Sequence, residues 1–369
     1  MQIQLRNEAI SKSAIASVSN LSTDPIAAGV SVFGMMNLNG SFFNVDHIVF
    51  HPYDLYFVAV DQQGMAQLQV WDPSIKQSKE TTVNPELFFS AAPLSHTSLL
   101  ESSISSVLLA DDHLVESCLV SATTDCSVFL SVPRSHPAFN ADSDGVLAGF
   151  RPIAGDQPWN KIRGIWLPNA AGYAVSITDF SSLTVCQSYD VRGSDKPDDF
   201  ALSLNWVSDH LLGVGTTQGV VQLFDKRSQT PTNVLSHGSK VSNILNFSQD
   251  ANVFASCSTD SIQVHDLRNP TSVLTTITHS LPVVTTSAHG HGKFICSLYK
   301  QNLLKVFDVE GNTISTHVYR HQGFAPAASA QGMVFHKYRS LLGVFDDASC
   351  VALLANNTDF EPYNHGIQF

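Results

Sequence analysis

The residues in this chain most able to do chemistry are histidines and aspartates that stand beside short apolar runs. His237 precedes one such run, and Asp250 lies in the tight turn that follows it. A buried His and Asp at this spacing, together with a hydroxyl and an indole, would form a hydrogen-bonded chain that ties the turn to the strand. His265 stands where the indole would be, so this chain is incomplete. We therefore interpret His237 and Asp250 as structural rather than as a catalytic pair.

Aspartates also close successive alternating runs, and converging carboxylates would bind a divalent cation. The five are Asp72, Asp190, Asp225, Asp266 and Asp308. Because each ends a different run, we expect them to lie apart, each accepting N–H bonds in its own turn. His289 and His291 form a His-x-His pair, but no third ligand stands at matching spacing. The sequence predicts no metal site and no cofactor.

Sequence motifs of enzymes are also missing. No serine lies in a Gly-x-Ser-x-Gly elbow, and no phosphate-binding Gly-x-x-x-x-Gly-Lys-[Ser/Thr] loop occurs. The stretch 213–219, GVGTTQG, has the glycines of such a loop, but it sits inside a predicted hairpin rather than at the start of a helix. We expect this protein not to be an enzyme.

One pattern, written twice in tandem, carries most of these residues. It reads LLGVGTTQGVVQLFDKR over 211–227 and NVFASCSTDSIQVHDLR over 252–268. Two alternating runs joined by a tight polar turn predict a β-hairpin. The copies stand about 40 residues apart, within the period of about 40–45 residues that is typical of blades built from WD-type repeats.

Seven segments fit this period, which predicts an all-β fold, a seven-bladed WD-repeat β-propeller. The segments are 47–72, 106–132, 162–192, 201–227, 241–268, 282–308 and 332–355. The only full Trp-Asp ending is at Asp72. Long insertions at 73–102 and 133–159 stretch the spacing of the second and third blades, so six or eight blades stay open.

The ends of the chain complete this picture. An apolar run at 30–36 comes too early to belong to a full blade. We predict that it forms the outer strand of the last blade and closes the ring, so that no sheet edge is left open. The propeller would span 29–356, between a flexible arm at 1–28 and a tail at 357–369. The two insertions are where a partner site could be grafted.

The composition indicates which partners and which cellular compartment to expect. The chain has 369 residues, 43% of them hydrophobic and 14% charged, with a net charge of -12. This acidity argues against a nucleic-acid partner. Six cysteines without a Cys-x-x-Cys pair predict buried thiols in a reducing compartment. No apolar run is long enough to span a membrane, and we expect a cytoplasmic protein.

Three of the closing aspartates are followed by an arginine. The segments are Tyr-Asp-Val-Arg192, Phe-Asp-Lys-Arg227 and His-Asp-Leu-Arg268. This spacing resembles a motif by which some propellers dock on the adaptor of a cullin ubiquitin ligase. The alternative is a local ion pair at the strand end, which contributes little stability. Arg192, Arg227 and Arg268 are therefore candidate partner-binding residues.

Taken in order, the segments resemble the C-terminal propeller of the raptor family, the scaffold subunits of a target-of-rapamycin kinase complex. The resemblance covers about 45–355. It is carried by FHPYDLYFVAV, SCLVSATTDCSVFLSV, LLGVGTTQGVVQLFDKRS, and GNTISTHVYRHQGFAP leading into GMVFHKYRSLLGVFDDAS. In that family a caspase-like domain and a helical repeat array precede the propeller and hold most known contacts. No binding residue is therefore carried over.

The sequence thus predicts a non-enzymatic scaffold for other proteins. The resemblance implies a subunit of a target-of-rapamycin kinase complex, with the kinase as its partner. A substrate receptor of a cullin ligase and a general assembly or trafficking platform are the alternatives. Propellers host all of these roles, so the fold alone does not choose among them.

Overall fold

The computed structural model describes the chain in nineteen stretches. They are residues 30–37, 45–50, 56–61, 65–70, 92–93, 104–110, 118–123, 128–132, 151–152, 165–168, 174–179, 184–192, 198–208, 210–247, 252–289, 294–318, 329–336, 341–347 and 350–356. Their regular structure is entirely β, in 27 strands. No helix within these stretches is long and apolar enough to cross a membrane. The predicted arm and tail lie outside them.

The strands form antiparallel sheets that follow the order of the chain. The first sheet holds β1 (Val30–Asn37) with the last strands, β25 (Ala330–Phe335), β26 (Leu341–Asp346) and β27 (Cys350–Asn356). The next hold β2 (Val45–Phe50), β3 (Tyr56–Asp61), β4 (Met65–Val70) and β5 (Ala92–Pro93), then β6 (Ile104–Ala110), β7 (Cys118–Thr123), β8 (Val128–Val132) and β9 (Arg151–Pro152). A three-stranded sheet holds β10 (Ile165–Pro168), β11 (Ala174–Asp179) and β12 (Thr184–Asp190).

Three further sheets come from the middle of the chain. They hold β13 (Ala201–Trp206), β14 (Leu211–Thr216), β15 (Val220–Asp225) and β16 (Pro231–Ser236); β17 (Val241–Asn246), β18 (Val253–Ser258), β19 (Ser261–Asp266) and β20 (Asn269–Thr278); and β21 (Val283–Ala288), β22 (Phe294–Tyr299), β23 (Leu303–Asp308) and β24 (Thr313–Val318). In each, consecutive strands are hydrogen-bonded neighbours, as in a propeller blade. The predicted hairpins at 211–227 and 252–268 are therefore confirmed.

The first strands of neighbouring sheets contact one another in the order β10, β13, β17, β21, β25, β2 and β6. This is the arrangement of a β-propeller, with the first strands innermost. Four blades, those of β13–β16, β17–β20, β21–β24 and β25–β27, are defined with most of their side chains. The sequence predicts seven. In the other three sheets most side chains lie outside the described residues, so four blades are established and the number seven stays a prediction.

The N-terminal strand pairs with the last strand of the chain, as predicted. β1 runs antiparallel to β27, from Val30 opposite Asn356 to Asn37 opposite Cys350. The register shifts between Val32 and Gly34. Both ends of the described chain therefore lie in one sheet, and β1 covers an edge that β27 would otherwise leave open.

Small polar side chains on the innermost strands join one blade to the next. Asn205 Nδ2 donates to the carbonyl of Ile244 at 2.9 Å, and Asn243 Nδ2 donates to that of Thr286 at 2.7 Å. Two more such bonds are Ser203 Oγ to the Val241 carbonyl at 3.1 Å, and the Phe335 N–H to Ser287 Oγ at 3.1 Å. Every junction among the four blades from β13 to β27 thus has a polar bond.

Apolar packing spans the same junctions. Val207 and Leu223 pack with Ile244 and Phe254 of the following blade in one buried cluster. Gly215 makes room for this approach, since a Cβ there would lie 2.5 Å from Val241 Cγ1. In GVGTTQG, Gly219 takes a left-handed turn conformation with φ 74°. These two glycines serve a turn and a blade contact.

Deleting residues 30–36 tests the role of β1. Because the deletion exposes the edge of β27 and the surface that β1 covers, we expect a large loss in the urea midpoint of unfolding. Circular dichroism during urea titration measures it, with removal of an equal length from the N-terminal 1–28 as the control. A midpoint close to that of the parent would show that β1 does not stabilise the last blade.

Candidate functional site

The Asp-x-Arg arginines stand at equivalent places in three consecutive sheets. Asp190, Asp225 and Asp266 are the last residues of β12, β15 and β19. Each is paired in register with the first residue of the preceding strand: Ala174, Leu211 and Val253. The third strands therefore end on the same side of the propeller. We call this surface the arginine face and define it by Asp190, Arg192, Asp225, Arg227, Asp266 and Arg268.

Each arginine donates hydrogen bonds to its aspartate from two side-chain nitrogens. Arg227 Nε donates to Asp225 Oδ1 at 2.8 Å and Nη2 donates to Oδ2 at 2.6 Å, while the Arg227 N–H donates to Oδ1 at 2.9 Å. The Arg268–Asp266 pair repeats this geometry at 2.9, 2.6 and 2.9 Å. Arg192 donates to the Asp190 carboxylate from the same three nitrogens, namely its backbone N, Nε and Nη2. A bidentate pair closed by a backbone bond fixes the guanidinium plane.

The arginine and its aspartate differ in exposure. The side chains of Arg227 and Arg268 are 70% and 69% exposed, against 19% for Asp225 and 14% for Asp266. In the Asp190 pair the two side chains are exposed about equally, at 46% for Arg192 and 52% for the aspartate. In the blades of β13–β16 and β17–β20 the surface therefore presents guanidinium, with the carboxylate beneath it.

The ion pairs also fix the charge state of this face. Hydrogen bonds from the Arg227 side chain and then its backbone hold the pKa of Asp225 well below its usual range. The pKa values of Asp190 and Asp266 are lowered in the same way, first by the side chains of Arg192 and Arg268. Asp225 in turn raises the pKa of Arg227. These pairs stay ionised at every physiological pH.

The next blade departs from the pattern. Asp308 ends β23 at the equivalent register position, opposite Phe294. Its carboxylate accepts from the Asn312 N–H and from Asn312 Nδ2, both at 2.8 Å. The exposed Glu310 stands where the other segments have arginine. Among the described sheets, the row of arginines ends at this blade, and the side chain at the equivalent position is negatively charged instead of positively charged.

The geometry agrees with the local ion pair and leaves the docking hypothesis possible. Arg227 and Arg268 lie exposed on one face, as adaptor docking would require. Their bonds to aspartate are those of a local ion pair at a strand end, which contributes little stability. Binding of a partner by Arg192, Arg227 and Arg268 stays a prediction.

The histidine chain lies inside the blade of β17–β20. His237 Nε2 is 3.0 Å from the Ser256 carbonyl oxygen, so it is the donor, and Ser256 Oγ is 3.0 Å from His265 Nε2. The His265 ring stacks on Phe254 with centroids 4.8 Å apart. All four residues are buried. As the sequence indicates, His265 stands at the position of the indole, and Ser256 supplies the hydroxyl and connects the two imidazoles. Whether the chain is complete stays untested, because its fourth member, Asp250, lies outside the described residues.

Burial governs the titration of this chain. It lowers the pKa of His265 to about 4, with a further contribution from the nearby His237. Asp250, the predicted partner of His237, lies outside the described residues. The chain joins β18 to His237, which directly follows β16 and precedes β17, so its role is to tie this connection to the blade.

In the neighbouring blades, too, a polar group that precedes the first strand is hydrogen-bonded within the blade. Asp199, which precedes β13, accepts from Thr217 Oγ1 and from the Gln218 N–H, both at 2.9 Å. His279, which precedes β21, bonds through Nδ1 to the Tyr299 hydroxyl at 2.9 Å. The sequence does not predict the role of Asp199. Its partners come close to it only through the pairing of β13 with β14, and no sequence motif gives the register of that pairing.

The other candidate groups are engaged in the core. Among the described residues no cluster of three or more metal-ligating side chains occurs. His289 is buried against the Phe335 ring, and His291 lies outside the described residues. Cys257 and Cys296 are free and buried, and burial raises the pKa of the Cys257 thiol to about 12. The aromatic before each described closing aspartate is Tyr189, Phe224, His265 or Phe307. Assignment as a WD repeat therefore stays a prediction.

The His265→Phe variant tests the titration of the buried chain. The unfolded protein binds a proton at His265 near its ordinary pKa of 6.5, and the folded protein only near 4. The free energy of unfolding therefore falls as pH falls from 6.5 to 4. Phenylalanine keeps the ring stacking and removes the titration, so we expect a shallower pH dependence, by about one proton.

Urea unfolding at a series of pH values measures this slope. His279, whose pKa burial also lowers to about 4, should leave part of it. The parent protein, unfolded at the same pH values, is the reference for the slope. An unchanged slope in His265→Phe would contradict the burial of a neutral His265.

Comparison with known proteins gives a fold but no family. No protein-family profile and no curated protein sequence matches this chain. Among solved structures, the crystal structure of Chaetomium thermophilum raptor matches with a TM-score of 0.66 at 15% sequence identity. The match covers 88% of this chain and 29% of the raptor chain, so this chain spans less than a third of that protein.

The raptor structure is one of 1773 matching chains, which is expected for a fold used as widely as the propeller. At this identity the similarity establishes the fold alone. The chain is similar to raptor in its β-propeller.

Proposed function

We propose that this protein is a raptor-like, WD-repeat propeller subunit of a target-of-rapamycin kinase complex, acting there as a non-enzymatic scaffold. The observation that carries the proposal is the match to raptor over 88% of this chain. The resemblance of the sequence segments to the raptor propeller, in the same order, supports it independently. The seven sheets in chain order favour a ring of seven blades.

The chemistry of the described residues agrees with a scaffold. Buried and half-buried polar groups bond across strands and blades, as Ser256 and Asn243 do. The exposed charged groups of the arginine face are paired within their own turns. A rigid surface with fixed charges suits recognition of another protein, because little side-chain entropy is lost when the partner binds.

The proposal places the protein in the cytoplasm with a kinase as partner. Its net charge of -12 disfavours nucleic acid, and the propeller fold favours other proteins as the class of ligand. Long connections precede β5 and β9, in the regions of the predicted insertions, and these two-residue strands return the chain to its sheets. The connections are the parts in which contacts specific to one partner would be built.

Native affinity purification of the tagged chain from its own cells tests the proposal. We expect a large helical-repeat kinase of the target-of-rapamycin class in the eluate, identified by mass spectrometry. A tagged chain lacking residues 30–36, which weakens the last blade, should recover less of it. An eluate that contains a cullin adaptor or a coat component, and no such kinase, would contradict the proposal.

The exposed arginine face favours a second candidate, a substrate receptor of a cullin ubiquitin ligase. Arg227→Ala with Arg268→Ala removes both exposed guanidiniums and should abolish capture of the ligase adaptor in a pull-down. Lys226→Ala, in the same turn as Arg227, is the matched control and should keep capture. Adaptor capture that survives the double change would refute docking through this face.

A further inference from the structure

A single Thr-Pro pair lies beside the arginine face. Of the 16 prolines in the chain, only Pro231 follows a serine or threonine, namely Thr230. The pair stands three residues beyond Arg227, where the turn after β15 passes into β16. Lys226 and Arg227 precede it, so the segment reads Lys-Arg-Ser-Gln-Thr-Pro.

This segment is accessible to a macromolecule. Residues 229–232 are exposed in an unbroken run. Pro231 begins β16, which lies at the edge of its sheet, and the register between β15 and β16 shifts where Pro231 meets Phe224. Because proline has no N–H, the strand begins with one ladder bond fewer. Such an end opens locally at low cost.

Local bonds present the Thr230 hydroxyl. Ser228 Oγ accepts from the Thr230 N–H at 3.3 Å and donates to its carbonyl oxygen at 3.2 Å. The Thr230 hydroxyl lies 3.4 Å from Ser228 Oγ, a long contact. The next hydroxyl, of Thr232, donates instead to the Leu223 carbonyl at 2.9 Å. Of these two threonines, Thr230 therefore has the hydroxyl that is more accessible to covalent modification.

We propose that Thr230 is a phosphorylation site for a proline-directed serine/threonine kinase, and that Arg227 binds the phosphate. The kinase transfers the γ-phosphoryl group of ATP: the bond from that phosphorus to the bridging oxygen breaks, and a bond to Thr230 Oγ1 forms. The hydroxyl proton passes to the base of the kinase, and ADP leaves. The product adds a charge of about -1.5 to -2 to the turn.

The phosphate would compete with Asp225 for a guanidinium that is already 70% exposed. A phosphate accepts two parallel charge-assisted bonds from a guanidinium, as a carboxylate does, and it carries the larger negative charge. The next blade has the same ion pair without a Thr-Pro pair, since Thr271 stands three residues after Arg268 but is followed by Ser272. Phosphorylation would therefore change the charge of the arginine face at one blade alone. The inference goes beyond the scaffold role and does not depend on which partner binds.

Incubation of the full chain with Mg-ATP and a cyclin-dependent or mitogen-activated kinase tests the site. Intact mass counts the phosphates and fragment mass spectra locate them. We expect one phosphate, on Thr230, which Thr230→Val abolishes and Pro231→Ala sharply reduces. Thr232→Val, two residues away, should be phosphorylated like the parent. Absence of phosphate from Thr230 in the parent chain, or phosphate only on other residues, overturns the proposal.

A phosphorus NMR titration of the modified protein tests the contact with Arg227. A guanidinium beside the phosphate lowers its second pKa below the ordinary value of about 6. Arg227→Gln should bring that pKa back up, whereas Arg268→Gln in the next blade should not change it. An equal pKa in the parent and in Arg227→Gln would overturn the role of Arg227.

Discussion

The bonds between side chains of the innermost strands and the backbone of the next blade hold this structure together. Asn205 and Asn243 reach carbonyl groups of the following blade across the narrowest part of the propeller. Such bonds are worth most where water is excluded, because an unpaired amide or carbonyl there is costly. They fix both the distance between neighbouring blades and their relative height, meaning their position along the axis of the propeller. Everything that lies at the blade ends depends on that height.

The arginine face is a consequence of this constraint. Since the blades are held at one level, third strands that end at equivalent register positions end on one surface. Asp225 and Asp266 can then present Arg227 and Arg268 in the same orientation, each over its own carboxylate. The change to Glu310 in the next blade shows that the position tolerates the opposite charge. The fold therefore fixes where a charge stands, and the local turn decides its sign.

The sequence predicts the features that depend on short-range pattern. Alternation and turn residues locate the hairpins that end at Asp225 and Asp266, and the isolated apolar run at 30–36 predicts the pairing of β1 with β27. The features it misses depend on the register between paired strands. Ser256 and Asp199 have partners that are brought close only by the sheet. The strands β5 and β9 are two residues long and carry no periodicity at all.

The candidate site follows the same division. The three Asp-x-Arg segments are visible in the sequence. The sequence does not show that Arg227 and Arg268 are far more exposed than the aspartates they bind. Nor does the sequence show that Thr230 is exposed and directly precedes a strand at the edge of its sheet. For the sheets whose side chains lie outside the described residues, the total of seven blades rests on period and on strand pairing.

Hydrogen exchange of the Asn243→Ala variant, compared with the parent, tests the coupling between blades most directly. If the amide of Asn243 ties two blades together, amides in β17 and in β21 of the next blade both lose protection. Loss of protection confined to β17 would show that the blades are stabilised independently and would contradict the account.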